Sequence, residues 1–420
     1  MRFIFFSGLA LLLASCNFSE QDYWYNPLPQ LAVGINANWS YYPDSFNVQL
    51  LYSPIYRDED GQPYLDTTYY WGAKRGEYFY PASTVKMPVA ALALQRLGEI
   101  NLPGVDADAQ LIHGAGREPQ TAADQDSTSE NGLPSVRHYV RKIFLVSDND
   151  AYNRLYEFLG QDYINSEMRQ RGLDSSRIIH RLSVGGFDTL GNRWLNPVLF
   201  SKEDALTYEL PERYSKFYDD LGLRNQVRGK GYYDSELDTV VYEPFDFRYK
   251  NYYSLADLHG TVGRLVIPEA YPEEERFDLQ PADYELIWEA MAQRPQESDY
   301  PQYDYDDNYV KFWLFGDRDS TTTTDIPSNI RILNKVGWAY GYLTDAAYIV
   351  DLETGTEFLL TGAIHVNENQ IYNDGQYEYE SGGLPFFGEL GRAVYQYQLG
   401  IDERLKLPAD DPLIYLLRQL

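Results

Sequence analysis

The chain has a single cysteine, Cys16, among 420 residues, so no disulfide can form within it. Histidine is also scarce. His113, His138, His180, His259 and His365 are scattered with no pair at ligand spacing, and no metal site is expected. The acidic stretch Asp304-Tyr305-Asp306-Asp307-Asn308 lacks the glycine and the distant glutamate of a calcium loop, so it reads as a solvated turn. No glycine-rich nucleotide pattern occurs, and no cofactor is expected. Positive charge is in deficit, 35 Lys+Arg against 63 Asp+Glu, and the net −28 argues against nucleic acid as a partner. An acidic surface also aids solubility, so it names no substrate. Long apolar runs are missing except for Ile4–Leu13. At about ten residues this run is too short for a permanent bilayer span, but it suits the core of a signal peptide.

Arg2 supplies a short positive segment ahead of that run, and the small pair Ala14-Ser15 stands before Cys16. The pattern resembles the bacterial lipoprotein signal. The resemblance implies an exported chain anchored to a membrane by a lipid on Cys16. Asn17, standing where an aspartate would favour the inner membrane, points to the outer membrane and periplasm. The expected division is a signal peptide over 1–15, a tether over 16–45, a catalytic domain over 46–400 and a C-terminal extension over 401–420. Tyrosine is abundant at 39 residues, in runs such as Tyr69-Tyr70, Tyr232-Tyr233 and Tyr252-Tyr253. Carbohydrate or protein contact is one use for them; half-buried packing is the commoner one.

Periodicity gives the elements. Phe46–Tyr56 alternates as a strand, Asp58-Glu59-Asp60-Gly61 is a turn, and Tyr64–Ala73 is the returning strand. Met87–Leu97 is apolar almost all round and is expected as a buried helix. Ser135–Phe144 and Ala151–Leu159 read as amphipathic helices, followed by Ile164–Arg171 with Gly172 as its stop. The stretch from about 200 to 250 is rich in tyrosine and acids and reads as an insertion packed on the main body. Ser254–Leu265 and Pro281–Ala292 return to helical spacing. Ile330–Leu333, Ala346–Asp351 and Glu357–His365 are strands, and Gly388–Tyr397 is a closing helix. Strands at both ends with helices between predict one antiparallel sheet backed by helices, an α+β arrangement with a helical subdomain.

Three short motifs carry chemistry. Ser83-Thr84-Val85-Lys86 puts a hydroxyl and an amine three apart, on one face of a helix, where Lys86 can take the proton of Ser83 Oγ. An N-cap serine with a lysine reaching solvent is the plain alternative. Ser147-Asp148-Asn149 falls in a helix break; its residues are good caps, and they also offer a second hydroxyl and an amide. Lys335-Val336-Gly337 follows an apolar strand, bringing positive charge and a glycine that permits close approach to the strand edge.

In this order, and with the surrounding FYPASTVKMPVAALAL, SDNDAYNRLYEFLG and KVGWAYGYLTDAAYIVDLETGTEFLL, the motifs resemble class A β-lactamases and the wider β-lactamase and penicillin-binding superfamily. The resemblance spans roughly Asn47 to Leu399 without the insertion and implies the serine β-lactamase/transpeptidase fold. By it, Ser83 is the acylated nucleophile, Lys86 its base or proton relay, and Ser147 and Lys335 complete the proton path. The oxyanion hole is then the backbone N–H of Ser83 and Trp338, and Asn149 and Gly337 face the substrate. Two positions depart from the family. Val336 lacks the hydroxyl usual there, and Asn192 stands where Asn192-Arg193-Trp194-Leu195-Asn196 should open with the glutamate that activates the deacylating water. An amide cannot take a proton from water. Asn196 fits the pattern, and Asp188 is a substitute base if the loop is shaped differently.

The leading expectation is β-lactamase-type hydrolysis of a β-lactam or a related amide or ester, with deacylation weakened by Asn192. The alternatives are a penicillin-binding or cell-wall peptide-acylating enzyme, and a non-catalytic binding lipoprotein that keeps the fold. The expected partners are a small-molecule or peptide acyl substrate and, through the N-terminal lipid, a membrane.

Overall fold

The structure is a computed structural model that describes residues 26–33, 46–202, 205–318, 321, 323–401 and 407–420. The signal segment, Cys16 and the expected tether apart from 26–33 lie outside the described residues.

The main sheet uses both ends of the chain. Gln49–Arg57 forms β1, with Pro63–Leu65 (β2) and Tyr69–Trp71 (β3) returning on it; Ile330–Ala339 (β4), Tyr342–Asp351 (β5) and Thr356–His365 (β6) follow much later. The order is β4-β5-β6-β1-β2, with β3 also on β1, and every pairing is antiparallel. The returning strand expected over Tyr64–Ala73 is broken in two. β2 pairs with Ile55–Arg57 and β3 with Leu50–Tyr52, and Pro54, which has no N–H to offer a ladder, falls in the gap between them.

Both faces of the sheet are covered, which explains why its strands read as nearly continuous apolar runs. Leu51, Ile55, Ala346, Tyr348 and Val350 join one core cluster; Leu50, Tyr52, Ala347 and Ile349, at alternating positions, join another. The first cluster is shared with the helical body: Lys86–Ile100 (α1), Val136–Val146 (α2), Asn149–Leu159 (α3), Leu255–Val266 (α4) and Pro281–Ala292 (α5). The second is closed by Leu384–Leu399 (α6) and by Val310 and Phe312–Phe315. α1 is the central helix, with Met87, Val89 and Leu92 fully buried. One large apolar side chain removed from such a site typically costs about 2–5 kcal/mol.

The segment from 198 to 246 is a set of short hairpins joined to the body. Val198–Lys202 pairs with Gln110–His113, and Gly231–Asp234 pairs with Ile371–Tyr372. Phe245 and Phe247 anchor it against Tyr340 and Tyr372, with ring centroids 5.1–5.7 Å apart. At the other end of the molecule, Arg57 on β1 is held by Glu357 at 2.5 Å and by Asp411 at 2.8 Å, next to the short helix Pro412–Leu417.

Candidate active site

Ser83 lies in a tight turn, Ala82–Val85, which runs directly into α1. Thr84 fastens the turn by donating from both its N–H and its hydroxyl to Pro81 O, at 3.1 and 2.7 Å. Ala82 has a left-handed backbone, φ 46°, and so do Ser147 at φ 59° and Tyr340 at φ 57°. Non-glycine residues in that region cost about 1–3 kcal/mol each and persist where their surroundings fix them; here all three sit around one cavity.

The helix break forms as its residue types dictate. α2 ends at Ser147, whose N–H bonds Lys142 O, and α3 begins after Asp148, whose carboxylate accepts from Ala151 N–H at 2.8 Å. Asp148 is therefore the cap, which leaves Ser147 and Asn149 to face Lys86. Lys86, fully buried, donates to Ser147 O, to Ser147 Oγ at 3.2 Å and to Asn149 Oδ1 at 2.7 Å. Lys335 donates to Ser147 Oγ at 2.9 Å and to Val336 O at 2.9 Å. Ser147 Oγ therefore accepts from both lysines, and its own proton is the one left to give. The expected direct bond between Lys86 and Ser83 Oγ is not made. All three hydrogen-bond contacts of Lys86 Nζ are with the Ser147–Asn149 segment, and Ser83 Oγ has no hydrogen-bond partner among the described residues.

Electrostatics favours neutral amines. Burial, then the charge of Lys335, hold Lys86 well below the ordinary lysine range, with Asp148 pulling weakly the other way. Burial brings Lys335 down to about 7 despite Asp345. Behind it, Lys311 is likewise lowered to about 7 and donates to Met291 O, Ile332 O and Asn334 Oδ1. Asn334 passes the contact on to Asp345, which burial raises to about 6.

Gly337 has a sharper role than expected. A Cβ there would sit 2.6 Å from Pro81 O and 2.9 Å from Ser83 N, so the close approach it permits is of β4 to the nucleophile's own turn. Val336, which lacks the hydroxyl usual at that position, does not line the Ser83 cavity. Its side chain is fully buried in the second core cluster, on the opposite face of β4 from Lys335, so a hydroxyl there would enter the core.

Ser83, Ser147, Asn149 and Trp338 line one cavity of about 580 Å³. Asn192, Asn196 and Asp188 do not line it. Asn192 is buried and held by the loop itself: Oδ1 accepts from Arg181 N–H, and Nδ2 donates to Phe187 O and Asp188 O. Asn196 donates to Glu157 and Thr121 O, and Asp188 caps the turn at Gly191. Among the described residues that line the cavity, none is Asp or Glu. Sequence reasoning missed its tyrosine rim, Tyr80, Tyr309, Tyr340 and Tyr377. Tyr80 and Tyr340 each stand three residues from a motif and were within reach; Tyr309 and Tyr377 gave no signal. Among the described residues no group of three His, Cys, Asp or Glu is arranged to hold a metal.

Residues 63–206 match the model of the beta-lactamase enzyme family. That segment holds the Ser83 and Ser147 motifs and stops short of Lys335. Among solved structures, a beta-lactamase from Sphaerobacter thermophilus DSM 20745 is 14% identical, over 91% of this chain and 99% of its own, with a TM-score of 0.46. L2 complexed with relebactam is 16% identical over 89% and 99%, TM-score 0.45. PBP-A is 15% identical over 88% and 95%, TM-score 0.43. No curated protein matches the sequence.

Proposed function

We propose that this chain is a serine acyl-transfer enzyme of penicillin-binding character, acylated at Ser83 and slow to release the acyl group. The carrying observation is the make-up of the Ser83 cavity: Ser147 on its wall is backed by the buried Lys86 and Lys335, and no carboxylate stands among its described lining residues. In acylation, a neutral Lys86 takes the Ser83 proton as Oγ attacks the carbonyl carbon. Ser147 gives its proton to the leaving nitrogen and is resupplied through the lysines it touches. The N–H groups of Ser83 and Trp338 hold the developing oxyanion, a role typically worth about 3–4 kcal/mol per donor. Attack by water on the acyl-enzyme then has no carboxylate to assist it, and Asn192 supplies only an amide turned into its own loop. Rapid β-lactam hydrolysis needs that base, and the leading expectation from sequence, β-lactamase-type hydrolysis, already left deacylation in doubt at Asn192.

Intact-mass spectrometry of the full chain mixed with benzylpenicillin and sampled over time tests the reading. The expected result is one long-lived penicillin adduct that Ser83→Ala abolishes. Consumption of the drug with no accumulating adduct would mean efficient hydrolysis and overturn slow release; neither adduct nor consumption would overturn penicillin-type acylation. We also propose that the enzyme works at a membrane, held by a lipid on Cys16. Labelled fatty acid should be incorporated by the wild type and not by Cys16→Ser.

A further inference from the structure

Beside the Ser83 cavity lies a second chamber of about 670 Å³, and the two share Tyr80, Ser183 and Tyr340. One wall comes from the loop carrying Phe187 and Asn192, the other from the insertion, through Phe217, Tyr218, Tyr249 and Lys250. The proposed acylation uses none of these residues.

Its charge runs against the rest of the molecule. In a chain of net charge −28, this chamber is lined by Arg177, Arg181, Arg193, Arg248 and Lys250 against Asp188, Asp219 and Asp220. Several of these charges are already matched: Arg181 by Glu157, Arg248 by Asp246, and Asp219 by Arg169. Arg177, almost fully buried, donates only to uncharged oxygens, those of Lys250, Asp219, Arg248 and the Gln226 side chain. Lys250 is half-buried and its ammonium has no hydrogen bond or ion pair among the described residues; it stands 5.9 Å from the centre of the Phe245 ring. His180, stacked on Tyr80, adds a buried Nε2 with no partner. Burial lowers the pKa of that ring most, and the charges of Lys250 and Arg177 lower it further. A half-buried cation left without a counter-ion is costly to keep unless something supplies the missing charge.

We infer that this chamber is a substrate subsite, in which Lys250 receives an anionic group carried on an extended arm of the acyl donor that reacts at Ser83. The inference rests on the acyl-transfer reading and names its substrate class: acyl compounds whose arm ends in a carboxylate, as an acidic peptide's does. Lys250 is a specificity residue here and touches no reacting atom. The shared wall at Tyr80, Ser183 and Tyr340 is the passage from the reacting carbonyl to the cation.

The test compares acylation rates at Ser83 by pairs of penicillins built on 6-aminopenicillanic acid. Within each pair the side chains have equal length and end in either a carboxylate or a methyl group, and a ladder of lengths is used. A charge-assisted hydrogen bond in such a site gives a preference of about ten- to a hundredfold. Wild type should prefer the acid by that factor at one length or more. Lys250→Met and Lys250→Gln should lose the preference, and Lys250→Arg should keep it. Benzylpenicillin, which lacks the arm, should acylate all four proteins alike and so report an intact Ser83 site. Removing an unmatched half-buried charge relieves a desolvation cost, so the neutral variants are expected to fold. Equal rates for acid and methyl at every length, with benzylpenicillin still reacting, would overturn the subsite. The same holds for a preference that survives Lys250→Met. Failure of benzylpenicillin itself to acylate wild type would instead strike the acyl-transfer reading.

Discussion

Replacing Gly337 by alanine places a methyl group where the nucleophile's backbone already runs. The new Cβ would stand 2.6 Å from Pro81 O, 2.9 Å from Ser83 N and 3.1 Å from Thr84 N. Comfortable contact begins near 3.5 Å, so β4 and the turn must part by roughly half an ångström or more. None of the obstructing atoms belongs to a side chain that can rotate away. Overpacking of this kind costs about 1–3 kcal/mol, which for a chain of this length lowers Tm by only about 1–4 °C. The effect on chemistry should be larger. A 1 Å misplacement of reacting groups costs about a hundredfold, so acylation at Ser83 should slow by roughly ten- to a hundredfold. Gly98→Ala is the matched control, since its Cβ meets nothing within 4 Å and it lies in a helix. That change should leave acylation untouched and add about 0.5–1 kcal/mol of stability. The readouts are thermal unfolding and the rate of benzylpenicillin adduct formation. Wild-type acylation in Gly337→Ala would refute the claim that this glycine sets the position of Ser83.

Acylation should rise with pH along a limb well below the ordinary lysine range, because Lys86 must be neutral to act and burial and the Lys335 charge keep it so; Lys335→Met removes the repelling charge, so in a pH–rate profile that limb should move to higher pH. Asn192→Glu should not speed deacylation, measured as decay of the adduct. It sets a carboxylate against Phe187 O and Asp188 O and should cost about 1–3 kcal/mol in chemical unfolding. Lys311 and Lys335 titrate near 7 when folded and near 10.5 when unfolded, so between those values the unfolded chain holds more protons and stability rises with pH. Each contributes a slope of about 1.4 kcal/mol per pH unit across that window, and Lys311→Met should remove one such share from urea unfolding measured at pH 7 to 10.

The parts of the site that follow local rules were legible in the sequence. The all-round apolar pattern of Met87–Leu97 announced a central helix, and Ser147-Asp148-Asn149 announced a break between two helices. Both are there because capping and burial are decided within a few residues. β4 was under-read as Ile330–Leu333, since alternation fails as a signal when the inward residues are Lys335 and Gly337. Both are buried, one by its bonds to Ser147 Oγ and Val336 O, the other because backbone fills the space of its side chain. Val336 and Asn192 were read by motif position as a missing hydroxyl and a missing base, and motif position says nothing about which way a side chain turns. Tyr309, Tyr377 and the chamber around Lys250 come together only through long-range packing, which spacing along the chain does not encode.

The sheet order has a consequence for how the chain becomes a folded protein. β1 is an inner strand, yet its partner on one side is β6, about three hundred residues further on, as in Leu50 opposite Gly362. β2 and β3 can pair with β1 as soon as they are made; the other edge must wait until almost the whole polypeptide has been synthesised. In that interval Leu50, Tyr52 and their apolar neighbours lack the strand and the helix that finally cover them. Pairings so distant in sequence fold slowly and leave sticky edges open. This architecture therefore ties completion of the Ser83 site, whose β4 belongs to the late half of the sheet, to one of the last events of folding.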